Sequence, residues 1–562
     1  MTMTDLITSL AIVFIAAGLF LLIANQLSLS PVPFYLLAGF VIGAGELVAQ
    51  DQLIELAQWG IAFLVFTFGY RFDFSSVQAV LRDAETAAGT QLIVVGPIAF
   101  VVATLFGFGT ENAVYFAIAA TLSSTIVGSE VLEQEIRNNL VHGRLASSVH
   151  FFDDLLAIGL IVILSADQYT TTLVTSQIGF AVLLLLASML VYRHGFPLLV
   201  RLAGDSDELV MMGSISILIA FLAGAELAGL SAVVGAFAAG IAIRSDDVSS
   251  LGVRNGIASI RDFFVAIFFV TLGSLVTIPS FDVFVIGATL TALVLFVNPL
   301  VMTLAFVFEG YDVRTAFLSS SSLNQVSELS LVIAIEALLL GAISETLFEG
   351  IILAAAATMI LTSVARRYEE PVYRSIVERV VAGRQTRKID DRSDVSEGLT
   401  DHIVVVGYGR QGRRLVETCE RRDIDYVVIE NDPVLWDDIQ TECRNYVFGD
   451  ALSVYPWEKA AVEDASLVVS TVDHSLVSEA VLDIDTDADV ILRAGTSAEA
   501  RDLLDDGATY VSVPNVLAGD QLDDVVDTIE ADEGDADAVR QQHLEMFETL
   551  ERYGFASRNE RI

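Results

Sequence analysis

The chain has 562 residues, of which 54% are hydrophobic and 18% charged, and its net charge is −41. The apolar residues crowd into the first two thirds, which excludes a wholly soluble protein and indicates a polytopic membrane domain carrying a soluble tail. The acidity argues against nucleic acid as a partner. The two cysteines, Cys419 and Cys443, offer neither a disulfide framework nor a metal-ligand spacing.

Hydrophobic runs long enough to cross a ~30 Å hydrocarbon layer recur thirteen times, at about 5–26, 31–48, 52–70, 80–107, 112–132, 141–165, 171–202, 207–225, 229–244, 254–278, 281–308, 314–341 and 344–366. The first lacks a basic start and outruns the apolar region of a cleavable signal, so it reads as a mature helix. The twelve arginines before Tyr368, from Arg71 to Arg367, fall at or near one side if the N-terminus lies outside. An odd number of spans then puts the C-terminal region in the cytoplasm, so parity and charge bias agree on a multi-pass protein of the cell membrane. Lys388 and Lys459 are the only lysines. Such an acidic, arginine-based surface suits a salty cytoplasm, as in a halophilic prokaryote.

The third span ends in "TFGYR", Thr67 to Arg71, which superficially matches a potassium filter. A filter needs a re-entrant loop of carbonyls, whereas this segment ends a continuous helix and has Arg71 where the final glycine would stand. The fifth span contains "ATLSSTIVGSE", with Ser123, Ser124 and Thr125 inside an apolar run, and the twelfth contains "SSSSLNQVSELSLVIAIE", with Asn324, Gln325, Ser327 and Glu328. Each is either a small-residue packing face or an interrupted helix. The two lie seven spans apart, as in the inverted repeats of transporters whose broken helices meet the substrate. Glu328 and Glu336 are further acids within the membrane domain, and Glu336 is alternatively a helix-paired or solvated group.

The sixth span, "SSVHFFDDLLAIGLIVIL", carries Asp153 and Asp154. Asp154 lies roughly 20 Å along the helix from Val141, near the bilayer midplane. A charge there costs at least ~2.5 to 3.5 kcal/mol and persists beside a water-filled cavity or partners. Neighbouring desolvated carboxylates favour a proton on one of them, and the deprotonated oxygens are hard ligands for a monovalent cation. Proton and cation therefore compete for one site, which is the chemistry of an antiporter. His150, one turn before Asp154, either tunes that acid or caps an aqueous vestibule.

After a charged connector, 369–400, a strand leads into "GYGRQG", with Gly407, Gly409 and Gly412 opening a helix, and a second strand ends in Glu430. This is the dinucleotide-binding fingerprint in its strand-turn-helix context. The glycines let phosphates approach the helix N-terminus, and Glu430 is placed to bind ribose hydroxyls. Arg410 either touches phosphate or is solvated. The expected organisation is a polytopic α-helical membrane domain, 1–368, with about 13 spans and two broken helices. An α/β Rossmann-like nucleotide-binding domain, 401–520, and an acidic tail, 521–562, follow, the tail closing in an amphipathic helix at 538–553.

The order of these features, with "PVPFYLLAGFVIG", "SSTIV", "FFDDLLAI", "GAFAAGIAI", "FFVTLG", "NQVSELSLV" and "GYGRQG" through "FGDA", resembles the monovalent cation:proton antiporters of the Kef-type and NapA-type branch carrying a TrkA-N (RCK-like) domain. The resemblance covers nearly the whole chain to about residue 520. It implies a transporter rather than an enzyme, a homodimer, and alternating access in which a core moves against a dimerisation domain. Asp154 would be the principal ion and proton carrier. Asp153, Ser124, Thr125, Gln325 and Glu328 would join it around sodium or potassium. The aspartate pair matches the sodium-transporting NapA-like pattern, whereas Kef-type potassium members usually have Gln-Asp. NapA-like proteins place a lysine opposite the aspartates; here the nearest residue is Asn298, so electrogenicity does not carry over. Family members bind AMP, ATP or NAD(H), so Gly407, Gly409, Arg410, Gln411, Gly412, Glu430 and Asp450 are expected to hold an adenine nucleotide or NAD(H) as regulatory ligand. No tightly bound metal is expected. A ligand-gated cation channel with the same regulatory domain is the alternative and would need a filter. A tethered oxidoreductase would need a substrate domain after Ala451.

Overall fold

The computed structural model describes residues 3–27, 29–48, 50–71, 86–137, 140–164, 171–204, 206–243, 251–276, 279–377, 392–396, 398–530, 539–541 and 543–545. Arg82, Arg244, Lys388, much of the connector and most of the expected 538–553 helix lie outside these residues. The chain forms two compact units, Met1–Glu309 with Thr315–Ile376, and Gly310–Arg314 with Val377–Ile562.

The first unit is helical. Its principal helices are α1 (Met3–Leu27), α2 (Pro31–Ala44), α3 (Gln50–Arg71), α4 (Gly96–Leu105), α5 (Thr110–Thr121), α6 (Thr125–Val131), α7 (Val141–Leu164) and α8 (Thr171–Leu190). They are followed by α9 (Asp207–Leu227), α10 (Ala232–Ile241), α11 (Leu251–Ser274), α12 (Phe281–Ala292), α13 (Asn298–Glu309), α14 (Val313–Ser321), α15 (Glu328–Leu339) and α16 (Glu345–Ala365). Among the described residues, seven helical stretches are long and apolar enough to cross a membrane, and Pro31–Ala44, Ala57–Tyr70 and Ala232–Ile241 are shorter apolar helices. The fifth and twelfth apolar runs are each broken in two, as α5 with α6 and α14 with α15. π-Helical turns, Gln91–Val95 and Leu293–Val297, precede α4 and α13. Turns of this kind often mark functional positions.

Serine starts many of these helices because its hydroxyl accepts one of the orphan N–H groups of a first turn. Ser124, Ser231, Ser280, Ser327 and Ser344 accept from Val127, Val233, Val283, Leu329 and Leu347 N–H respectively. Lipid supplies no hydrophobic drive between helices, so close backbone approach matters. A Cβ on Gly39 would lie 2.0 Å from the Val270 carbonyl, and one on Gly240 would lie 2.1 Å from that of Phe66. Neither α2 against α11 nor α10 against α3 tolerates a larger residue at these places.

The second unit is a six-stranded parallel sheet in the order β3-β2-β1-β4-β5-β6. The strands are β1 (His402–Val406), β2 (Tyr426–Glu430), β3 (Tyr446–Phe448), β4 (Ala465–Ser470), β5 (Asp489–Arg493) and β6 (Tyr510–Ser512). Helix α17 (Arg410–Arg422) follows β1 and α18 (Trp436–Glu442) follows β2. β1 pairs with both β2 and β4, so the order reverses beside it, and ligands of such sheets bind at that switch point.

Candidate functional site

The two breaks cross and are stitched together. Ser123 forms an antiparallel bridge with Val326, and Ser327 N–H donates to the Leu122 carbonyl at 3.1 Å. Each break exposes backbone groups that must find partners inside the bundle. Ser123 gives its N–H to Asp153 Oδ2 at 2.9 Å and its hydroxyl to the same oxygen at 2.5 Å. Val326 N–H donates to the Thr358 hydroxyl at 3.1 Å, and the Thr362 hydroxyl donates to the Asn324 carbonyl at 2.8 Å. Gln325 Nε2 donates to the carbonyls of Ser322 at 2.8 Å and Ser124 at 3.3 Å. Glu328 Oε1 accepts the Ile126 N–H at 2.9 Å, placing a carboxylate on the first turn of α6, where the helix dipole favours negative charge.

The adjacent aspartates have different surroundings. Asp153 is buried at 3% exposure against the break. Asp154 is partly exposed, accepts the Thr125 hydroxyl at 2.9 Å, and lines a cavity of about 170 Å³ together with Thr125, Ser129, Ser147, His150 and Phe237. Consecutive positions on a helix point about 100° apart, so Asp153 reaches the backbone of the break at Ser123 while Asp154 reaches open space. His150 is buried, with Nδ1 3.2 Å from the Ser123 hydroxyl, and it lines the same cavity. Gly128 makes room for it, since a Cβ there would sit 2.1 Å from His150 Nε2.

Of the residues singled out by sequence, Asp154, Thr125 and His150 meet at the cavity, while Asp153, Ser124, Gln325 and Glu328 organise the crossing. Ser124 spends its hydroxyl on the α6 cap. Asn298 donates from Nδ2 to the Leu323 carbonyl at 3.0 Å, serving the second break. Glu336 accepts the Ser231 hydroxyl at 2.6 Å and is thus a helix-paired residue. Thr358, Thr362 and Gln91, which donates to the Thr121 carbonyl, were not legible as site residues. Lone polar residues in apolar helices carry no local signal of which backbone atom they serve.

In the second unit Gly407 has φ +90° and a Cβ on Gly412 would fall 1.9 Å from the Gly407 carbonyl, so the turn and the helix contact both demand glycine. Nothing lies within 4 Å of a Cβ built on Gly409, which leaves the N-terminal end of α17 open, with Arg410 and Gln411 exposed beside it. Glu430 is turned onto the loop itself. Its oxygens accept Tyr408 N–H at 2.7 Å, Asn431 N–H at 2.8 Å and Asp432 N–H at 2.9 Å. Burial pushes this carboxyl above the usual range and the Asp432 charge adds to that, while the three N–H bonds oppose it. Tyr408 donates its hydroxyl to Glu442 at 2.9 Å and stacks under Arg413 at 5.0 Å. Asp450 is buried and accepts Leu452 N–H at 3.0 Å. The glycine loop and open helix end fit a phosphate-bearing ligand. Among the described residues no group of three or more His, Cys, Asp or Glu side chains is placed to hold a metal ion.

A family model described as sodium/hydrogen exchanger, transmembrane, matches residues 10–367, and one described as the TrkA-N domain matches residues 403–514. YbaL of Escherichia coli (strain K12), a cation/proton antiporter by name, is 26% identical over 543 residues, covering 90% of this chain and 95% of its own. KefB of Alkalimonas amylolytica, a K(+) efflux antiporter by name, is 27% identical over 519 residues, covering 87% and 76%. The solved structure of the sodium proton antiporter MjNhaP1 from Methanocaldococcus jannaschii aligns with a TM-score of 0.51 at 14% identity, over 67% of this chain and 100% of that one. That likeness concerns the fold.

Proposed function

The chain belongs to the sodium/hydrogen exchanger family, and from that premise we propose that its Asp154 carboxylate takes a monovalent cation and a proton in turn. The protein is a multi-pass membrane antiporter with a C-terminal TrkA-N domain, and it is neither an enzyme nor a channel. The observation that carries the Asp154 assignment is its position on the cavity, bonded to a hydroxyl of the α6 break. Deprotonated, Asp154 offers hard oxygens beside the hydroxyls of Thr125, Ser129 and Ser147; protonated, it is a poor cation ligand. Binding of either species excludes the other, so flux in one direction is tied to flux in the opposite one. Asp153 keeps the break in shape for this exchange, and Glu328 holds the first turn of α6 by accepting the Ile126 N–H.

Transport then proceeds by alternating access. Of the cavity residues on α7, Ser147, His150 and Phe151 lie toward Val141, whereas Asp154, Leu155 and Ile158 lie toward Leu164. With the N-terminus outside, as the arginine bias favours, the Val141 end of α7 faces the cytoplasm. The chain is assigned a homodimer, and its TrkA-N domain an adenine nucleotide or NAD(H) that regulates exchange from the Gly407, Gly409 and Gly412 loop. The cation is sodium or potassium: the aspartate pair favours the former, and the likeness to KefB the latter. Uptake of radioactive sodium, or of rubidium standing for potassium, into proteoliposomes with an acidic lumen tests this. Uptake of one isotope that collapses when a protonophore removes the gradient is expected; uptake indifferent to the gradient would contradict coupled exchange.

A further inference from the structure

Two carboxamides make matching contacts in the two halves of the transport unit. Gln91 opens the π-turn in front of α4, and its Nε2 donates to the carbonyl of Thr121, the last residue of α5. Asn298 directly follows the π-turn in front of α13, and its Nδ2 donates to the carbonyl of Leu323, just beyond α14. In both cases the acceptor lies at the C-terminal end of the first half of a broken span. Those carbonyls lack intrahelical partners and carry the negative end of the helix dipole.

Both amides are 1% exposed, and neither Gln91 Oε1 nor Asn298 Oδ1 has a partner among the described residues. Buried unpaired acceptors call for an explanation, and here the donor end of each group supplies one. The two clamped ends feed a single bridge, since Leu122 accepts Ser327 N–H and Ser123 pairs with Val326. Movement of either end shifts both strands, and with them the Ser123 and Thr125 groups that hold Asp153 and Asp154.

We propose that Gln91 and Asn298 are paired positioning residues, neutral clamps on the two half-helix ends that set the geometry of the cation site. The proposal rests on the transport reading above. The test measures cation KM and kcat for exchange in proteoliposomes for Gln91→Met, Asn298→Leu and the double variant, with melting temperatures in detergent alongside. Each single variant is expected to raise KM about tenfold, the equivalent of one lost hydrogen bond, with kcat within about twofold. The double variant should raise KM little further, because one bridge is shared. Unchanged KM, a fall in melting temperature alone, or KM effects that multiply would overturn the clamp. If Asn298→Leu does not fold, Asn298→Ser, which shortens the donor, carries the same expectation of raised KM and retained kcat. A wild-type protein without exchange would defeat the transport reading, whereas exchange by wild type with unmoved variants would defeat only this proposal.

Discussion

Ser123 gives Asp153 both its backbone N–H, at 2.9 Å, and its hydroxyl, at 2.5 Å, so that this carboxylate closes the break between α5 and α6. Across the bridge, Val326 N–H is met by nothing more than the neutral hydroxyl of Thr358. The comparison separates the two aspartates: an acceptor is what the backbone needs at 153, while a carboxylate facing space is what the proposed exchange would use at 154. Asp153→Asn keeps an acceptor and is expected to melt close to wild type in detergent. Asp153→Leu strands a buried N–H and should lose about 1–3 kcal/mol. Equal melting temperatures for the two variants would remove the structural role from Asp153.

The Ser231 hydroxyl ties α10 to Glu336 of α15 at 2.6 Å, beside the Ile161 and Leu164 end of α7. Alternating access requires that contact to part when the site turns to that side. A hydrogen bond to a charged group contributes about 1.5–3 kcal/mol, so Ser231→Ala should raise the population of the opposite-facing state by about tenfold or more. Thiol labelling of Ala337→Cys, a buried neighbour of Glu336, reads this. The labelling rate from that side should rise in the Ser231→Ala background, and an unchanged rate would mean the contact is not part of the gate.

Gly409 and Gly412 separate ligand approach from folding. Gly412→Ala drives a Cβ into the Gly407 carbonyl, whereas Gly409→Ala meets nothing in the protein. Gly412→Ala should lower the melting temperature of the TrkA-N domain. Gly409→Ala should melt as wild type and yet bind labelled ATP or NAD(H) at least about tenfold more weakly, because the added methyl stands where phosphate nears the backbone. Nucleotide affinity unaltered by Gly409→Ala would move the ligand off this loop.

Cys443 is buried, and that burial, ahead of the Glu442 charge, pushes its thiol up to about 11. The native chain therefore holds this proton through pH 9 to 11 while the unfolded chain has lost it. This thiol's contribution to stability is retained below that window and falls as pH rises through it. Alkylation by iodoacetamide at pH 8.5 should be slow at Cys443 in the native protein and fast after denaturation, as read by peptide mass mapping. Rapid native alkylation would show the thiol to be open.

Much of this arrangement was legible because its causes are local. Runs of apolar residues, serine and threonine clustered at Ser123–Thr125, and the spacing of Gly407, Gly409 and Gly412 each announce themselves within a short window. The division of labour between Asp153 and Asp154 does not, since it depends on which one meets the backbone of the break at Ser123, 30 residues earlier in the chain. Gln91 is a lone amide in an apolar run, and only the π-turn and the end of α5 give it a task. Glu430 holds the Tyr408 N–H of the glycine loop. Its position at the end of β2 was readable, but the rotamer that turns it onto the glycine loop was not.

The central claim is that exchange runs through Asp154. Proton flux in proteoliposomes at high ionic strength, with sodium and then potassium added outside, should be cation-dependent in wild type and abolished in Asp154→Asn, whose amide cannot carry the charge that cation and proton share. Undiminished cation-driven proton flux in Asp154→Asn, or cation current without proton movement in wild type, would contradict it.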